Sequence, residues 1–459
     1  MIIHKLDNVE INLENGHKYA LRDISRGENI IKYGNPIGYA TSDIKKGDHV
    51  HTHNVKTNLS GNIEYRYNYK DYGIESRESD ITFDAYVREN GDVGIRNEIW
   101  IVNTVGCVNK VAQKLSQLTG AKYFSHPFGC SQLGDDQKVT QLILKGMVNH
   151  PNAAGVLVLG LGCENNNISV FREVLGDYNE KRVKFLNCQD VDDEISEGLK
   201  LIGELKSYAD SFIRQPVSIS RLRLGLKCGG SDGYSGISAN PLVGSLSDKI
   251  ISLGGSCVLT EVPEMFGAEH LLMERCETKE VFDKTVKLIN DFKDYYTRYN
   301  QVIYENPSPG NKDGGITTLE EKSLGCVQKG GLSKVVAVLD YGDTLNKNGL
   351  SLLNGPGNDI VAITNLMAAG VHMILFTTGR GTPVGGPVPT VKISTNRKLY
   401  ESKKNWIDFD ASPVLDGISM SELTDRFFDY IISVANGQET LNEINDYREI
   451  SIFKDGVTL

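Results

Sequence analysis

The sequence predicts an α/β protein in which a small all-β unit precedes two lobes of alternating strands and helices. Three observations predict it. Residues 1–70 break into short β segments with a turn about every 8–12 residues. From residue 84 onward, apolar strand candidates alternate with helical segments, the pattern of a parallel sheet with crossover helices. At RLRLGLKCGGSDG the alternation restarts, which divides this part in two. The 459 residues agree, since roughly 150 residues per domain gives about three units.

In the first unit, HKYALRDI, NIIKYG, PIGYATSDI and HVHTHNV are the strand candidates, punctuated by Gly16, Gly27, Gly34 and Gly47. NYKDYGIESRESD is polar and aperiodic, so residues 71–83 are assigned as a linker. The first lobe, 84–216, runs EIWIVNTVG, a helix near 108–118, AKYFSHP, a helix at 136–148, AAGVLVLGLG, a helix at 168–176, VKFLNC and a helix at 191–213. The second lobe, 217–459, holds further strands near 255–260, 334–339 and 371–377, with helices near 278–300, 358–369 and 421–436. NPSPGNKDGG (306–315) is rich in Pro and Gly and reads as a loop. No internal repeat is evident.

Composition narrows the function. Apolar residues make up 40% and charged residues 24%, a soluble globular balance. A formal charge of −10 and a pI near 5.5 argue against nucleic acid or an anionic membrane as partner. The start, MIIHKLDNVEINL, has no apolar core of signal-peptide length, and the apolar runs GVLVLGLG and VHMILF are too short to span a bilayer, so the expected location is cytoplasmic. In a reducing compartment, eight cysteines scattered over a large chain are buried small side chains, metal ligands or catalytic groups rather than disulfides.

Four cysteines share a context. Cys107, Cys130, Cys163 and Cys228 each end a strand candidate and each has Gly beside it. Ligands of open parallel sheets bind at the carboxyl edge, where the strand ends and following loops converge. Their spacings (23, 33 and 65 residues) match no short zinc or ferredoxin motif, so they act together only if the fold assembles them. Buried structural thiols are the competing reading, and the one assigned to Cys188, Cys257, Cys276 and Cys326. His49, His51 and His53 alternate in HVHTHNV and would share one face of a strand, a donor set suited to Fe²⁺, Zn²⁺ or Mn²⁺. His17 and Lys18 are further candidates from the same unit. The Gly-rich loops GCSQLGDD, GCENNN, KCGGSDGYSG, GNKDGG and TTGRGTPVGGP offer backbone N–H groups, with Asp232, Lys312 and Arg380 among their polar side chains. A Walker P-loop, a GxGxxG helix opening and a GxSxG elbow are absent, which disfavours a P-loop NTPase, a nicotinamide dehydrogenase and an α/β-hydrolase.

Taken together, YVRENGDVGIRNEIWIVNTVGCVN, HPFGCSQLGDD, GVLVLGLGCENN, KCGGSDGYSGISANP, PGNKDGGITTLEEKSLG and FTTGRGTPVGGPVP resemble the altronate dehydratase family, which includes galactarate dehydratase and the large subunit of sulfolactate sulfo-lyase. GHKYALRDI, IIKYGNPIGYAT and GDHVHTHNV resemble its SAF-type β-clip domain. The resemblance runs in order along nearly the whole chain. It implies a SAF-like β-clip domain followed by two Rossmann-like α/β lobes, and an iron-dependent hydro-lyase of hexuronate catabolism that converts D-altronate to 2-dehydro-3-deoxy-D-gluconate and water. The HxH stretch is of the altronate type, and the fused β-clip differs from the two-chain sulfo-lyase. NWIDFDASPVLDG departs from the family's DINAG-like sequence, which bears on substrate more than on reaction.

The roles implied are His17, His51 and His53 as base, acid or ligands, Lys18, Asp232, Lys312 and Arg380 for substrate, and Cys107, Cys130, Cys163 and Cys228 for iron. The iron is either mononuclear Fe²⁺ or a [4Fe–4S] cluster. The expected partner is a small-molecule sugar acid, with a homodimer left open. The alternatives are a lyase for galactarate or sulfolactate and a non-catalytic protein that binds a sugar acid or iron.

Overall fold

The computed structural model describes all 459 residues. Alternation of buried and exposed positions builds the N-terminal unit from two three-stranded sheets. One joins Val9–Ile11, Lys18–Ala20 and His49–Val50, and the other joins Asn29–Lys32, Asn35–Ala40 and Val55–Lys56. This is the small antiparallel domain expected. The aperiodic stretch after it carries no regular element up to Thr82, and it is tied down along its length. Lys70 N donates to Glu274 O and Arg77 N to Ser252 O, each at 2.7 Å.

The first lobe is a parallel sheet in the order Lys122–Phe124, Glu98–Asn103, Ala153–Gly160, Val183–Asn187. Its central strand AAGVLVLG is buried at every position, as a strand covered by helices on both faces must be. A separate antiparallel ribbon pairs Thr82–Val87 with Arg214–Ser218 and so brackets the lobe.

The second lobe is a seven-stranded sheet ordered Val335–Leu339, Gly349–Leu353, Ser256–Leu259, Arg223–Cys228, Met373–Thr378, Thr390–Ser394, Phe409–Asp410, with every pairing parallel. The chain enters at Arg223–Cys228, adds Ser256–Leu259 beside it, places Val335–Leu339 at the edge and Gly349–Leu353 in the gap, then returns to build outward on the other side. The order therefore reverses between Arg223–Cys228 and Met373–Thr378, and a crevice opens at such a reversal. The lobes share one core, in which Trp100, Val102 and Val156 of the first pack with Ile363, Leu366 and Phe376 of the second.

Two sequence expectations fail locally. The segment read as a loop at 306–315 contains a helical turn, Pro309–Asp313. Ser308 caps it through a capping box with Asn311, and Pro309 occupies the first turn, where a missing N–H costs nothing. Strands Gly349–Leu353 and Thr390–Ser394 escaped the sequence reading because GLSLL and TVKIS are short and contain few apolar residues, although every position is buried.

Candidate functional site

The β-clip domain docks on the carboxyl edge of the seven-stranded sheet. Gly233, in the loop after Arg223–Cys228, lies so close to the main chain of Gly16 that a β-carbon there would sit 2.0 Å from Gly16 O, so only glycine permits this approach. Tyr234 donates its hydroxyl to Leu13 O (3.0 Å), and Thr318 donates to Ile37 O.

A buried charge triad holds the dock. Lys18 Nζ is 2.8 Å from Glu321 Oε2, and Lys32 Nζ is 2.7 Å from Glu321 Oε1, all three side chains being sealed from solvent. Burial opposes the Glu321 charge, but the two ammoniums outweigh it and bring its carboxyl down to about 2. Burial chiefly, with the like charge of Lys32, brings the Lys18 ammonium down to about 8. Lys18 also donates to Gly315 O and Thr317 Oγ1, both at 2.7 Å. Lys18, expected to bind substrate, thus has all three of its protons engaged within the protein.

Next to this dock the imidazoles gather. The expected single strand face is not what brings them together, because the strand ends at Val50 and a turn carries His51 and His53. His17 Nδ1 and His49 Nε2 lie 3.0 Å apart in a hydrogen bond, and the His17 ring centre is 5.3 Å from that of His51. His53, exposed, is 5.6 Å from His49. Burial, followed by the three neighbouring imidazoles, pushes the His49 pKa down to about 4. His51 is locked at both ring nitrogens, with Nε2 against Lys312 O (2.8 Å) and Nδ1 accepting from Thr52 N (2.6 Å). His51, expected as a proton carrier, thus also braces the imidazoles against the Pro309–Asp313 turn. His49, outside the expected catalytic set, is the direct partner of His17.

The turn borders a cleft of about 870 Å³ at the point where the strand order reverses. Asp232 follows one strand of that crevice and Arg380 the other, while Asn396 and Lys398 follow the next strand. Arg380 and Lys398 are exposed there and make no ion pair within the chain. Asp232 is buried, and its carboxylate accepts from Thr395 Oγ1 (2.9 Å), Asn396 Nδ2 (3.0 Å), Ser235 Oγ (3.1 Å) and Tyr234 N (3.1 Å). Burial nonetheless raises its pKa. Asp232, expected as a substrate ligand, thus lines the cleft with both carboxylate oxygens already hydrogen-bonded.

The cysteines fall into two groups. Cys107, Cys130 and Cys163 are exposed at the carboxyl edge of the four-stranded sheet, as their strand-end context predicts. Their loops are stitched together: Gly106 N donates to Phe128 O (2.9 Å), Asn166 N to Gly129 O (3.0 Å), and Ser131 N to Asn165 Oδ1 (2.9 Å). Cys188 directly follows Val183–Asn187 and so ends a fourth strand of the same sheet, which corrects its reading as lacking this context. VKFLNC has no flanking Gly, the cue that marked the others. Burial raises the Cys188 thiol to about 11.

Cys228 does not join them. It ends a strand of the other sheet, is buried, and has Cys326 Sγ at 3.4 Å, Glu264 Oε2 at 2.9 Å and Lys329 Nζ at 2.9 Å. The hydrogen bond with Cys326, against burial, and the ammoniums of Lys329 and Lys322 lower its thiol to about 7. A single four-cysteine ligand set is therefore corrected to three exposed thiols in one place and a buried Cys228–Cys326 pair in another. The donor atoms of Cys228, Glu264 and Cys326 all lie within 4.8 Å of one another, a group that could hold a metal ion. Lys329 and Lys322 already supply positive charge to it, Lys322 Nζ being 2.8 Å from Glu264. Nor does the β-clip cover the exposed thiols: its hydrogen bonds outside itself run to Tyr234 and to residues 269–321.

A cleft at the reversal point, bordered by a second domain and with Arg380 and Lys398 unpaired in its wall, is where a sheet of this kind takes a ligand. Models of the family match along the chain: the altronate/galactarate dehydratase SAF domain at residues 4–58, the D-galactarate dehydratase/altronate hydrolase second domain at 85–210, and the D-galactarate/altronate dehydratase C-terminal domain at 219–458. The chain belongs to the D-galactarate/altronate dehydratase family. It is 52% identical to altronate dehydratase of Escherichia coli (strain K12), covering 100% of this chain and 99% of that one. It is 52% identical to altronate dehydratase of Bacillus subtilis (strain 168), covering 98% and 93%. Galactarate dehydratase (L-threo-forming) of Escherichia coli (strain K12) is 29% identical over 94% of this chain and 88% of its own. No helix is long and apolar enough to cross a membrane.

Proposed function

We propose that this chain is a hydro-lyase that removes water from D-altronate to give 2-dehydro-3-deoxy-D-gluconate, acting in the cytoplasm on the free sugar acid. Identity of 52% to two altronate dehydratases over essentially full length, against 29% to the galactarate enzyme, favours altronate as substrate. The observation that carries the site is the cleft between β-clip and second lobe, with the His17–His49 pair beside its rim and Arg380 and Lys398 unpaired on its wall.

The reaction takes a weakly acidic proton from the carbon beside the carboxylate and expels hydroxide from the next carbon. The resulting enol tautomerises to the 2-keto acid. Arg380, with Lys398 and Lys312, binds the carboxylate and distal hydroxyls. His17 moves the proton, and neutral His49 orients its ring by accepting or donating at Nδ1. His53 is the second proton-transfer group. Water is excluded from the inner end of the cleft by the docked β-clip, whose position Lys18, Lys32 and Glu321 fix.

The chemistry calls for positive charge where negative charge develops. The exposed thiols of Cys107, Cys130 and Cys163 fit iron better than the buried group does. They are soft donors on three interlocked loops, and two buried oxygens at the same strand ends, Asn103 Oδ1 and Asn187 Oδ1, carry no hydrogen bond. Cys228, next to Lys329, is assigned to the buried network instead. Iron held by these thiols would supply Lewis-acid character at the edge of the four-stranded sheet.

The test is anaerobic purification followed by iron and sulfide analysis and an assay of 2-keto acid formation from D-altronate, D-galactarate and sulfolactate on one sample. Turnover of altronate above the other two, lost in His17→Gln, is expected. A folded, iron-loaded sample that turns over none of the three overturns the assignment.

A further inference from the structure

The last residues of the chain lie across the loop that carries Cys130. Leu459 N donates to Ser131 O at 2.9 Å, and Thr458 forms an antiparallel bridge with Gln132. One turn further, the buried carboxylate of Asp136 takes Asp455 N and Gly456 N, one on each oxygen, both at 2.8 Å. Beyond these, the tail is fixed to the second lobe. Asp455 accepts from Tyr299 Oη (2.5 Å) and pairs with Arg298 at the end of the Lys279–Arg298 helix, and the Phe453 ring stands 5.6 Å from that of Tyr295.

The Cys130 loop needs such an outer support. On its inner side it is held by the neighbouring loops, through Gly106 N to Phe128 O and Asn166 N to Gly129 O. Ser131 and Gln132 of the loop are met by the tail. Two of its residues also sit in the left-handed region, Gly129 at φ +99° and Ser131 at φ +60°, the latter a conformation a side chain resists unless its surroundings impose it. Ser131 is the very residue whose carbonyl receives the tail.

We infer that residues 455–459 are a positioning strap for the Cys130 thiol, clasped by Asp136 and anchored on the second lobe. This rests on the reading that Cys107, Cys130 and Cys163 bind metal together. It goes further by assigning Asp136, Ser131 and the tail a part in completing that donor set. Gly456–Leu459 are exposed and bury no core, so removing them spares the fold.

The experiment uses the metal-free full chain, its deletion of residues 456–459, Asp136→Ala and Cys130→Ser, each titrated with Co²⁺ alone. Cobalt–thiolate charge-transfer absorption grows with the number of thiolates bound, so it reads the donor set without turnover. Loss of one thiolate of three should lower the band by about a third in Cys130→Ser. The deletion and Asp136→Ala should lower it towards the same level, with the thermal midpoint of the deletion unchanged. A full band in the deletion, beside a reduced band in Cys130→Ser, overturns the strap. A full band in Cys130→Ser overturns the three-thiol reading and the strap with it.

Discussion

The carboxyl edges of the two sheets are built in opposite ways. At the seven-stranded sheet the charged groups have internal partners: Glu321 holds two lysines, Asp232 collects four donors, and His51 is bonded at both nitrogens. At the four-stranded sheet the reactive groups stand free, with Cys107, Cys130 and Cys163 exposed and two buried amide oxygens unpaired. The first edge is preorganised by its own charges, and only a few groups (Arg380, Lys398 and the free faces of His17 and His53) are left for a ligand. The second edge is a donor set whose partner must come from outside. Preorganised charge favours transition-state stabilisation, since no reorganisation is needed at the moment of reaction. Exposed soft donors on interlocked loops favour metal capture.

The sharpest way to break this contrast is at the imidazole pair. His17→Gln should lower kcat by about 10²–10⁴ with the fold intact, the usual worth of a general acid–base group. His51→Gln, which removes a brace, should lower it less. Steady-state kinetics on D-altronate separates the two, and equal losses would return His51 to the proton path.

Next in size is the triad. Glu321→Gln leaves two lysines buried without a counter-charge and should destabilise the protein by about 3–5 kcal/mol in denaturant unfolding. A change near zero would mean that the β-clip is not held by these charges.

The thiols should then part company. Cys130→Ser is expected to reduce bound iron while shifting stability by no more than about 0.5 kcal/mol, as an exposed site does. Cys228→Ala strips Glu264 and Lys329 of a buried partner and should cost about 1–3 kcal/mol without removing iron. Iron analysis beside calorimetry reads both, and iron loss in Cys228→Ala would revive the single four-cysteine set.

Acid should weaken the docked edge by two routes of the same sign. Glu321 has its folded pKa brought down to about 2, so its contribution is complete above the unfolded value near 4.3 and is lost as pH falls through about 2. His49 has a folded pKa of about 4 against about 6.5 unfolded, so the unfolded chain takes up the proton first and stability falls between those values as pH drops. Denaturant midpoints against pH should therefore decline below about 6.5, and His49→Gln should flatten the upper part of the slope. The smallest expected effect is at the cleft wall. Arg380→Met should raise KM several-fold with kcat little changed, because an exposed cation contributes mostly to binding the substrate's charge.

Much of this was legible in the chain. The alternation of apolar runs with amphipathic segments determined the parallel lobes, and Gly beside Cys at the strand ends marked Cys107, Cys130 and Cys163. The shared motifs determined the family. These are signals of local period and order, which one dimension carries. Which sheet each strand joins is not such a signal. Cys228 and Cys163 look alike in sequence; the restart at RLRLGLKCGGSDG puts them in different lobes, but only the two separate sheets show that their strand ends do not meet. Cys326 is 98 residues from Cys228 and comes within 3.4 Å of it because Leu319–Cys326 packs beneath that strand end. Lys18, beside His17, and Asp232, in a Gly-rich loop, read as polar groups for substrate; in the fold both are buried, Lys18 against Glu321 and Asp232 against Thr395. Burial and pairing depend on residues far apart in the chain, so the tertiary structure alone determined which polar groups are spent on holding the site and which are left to act.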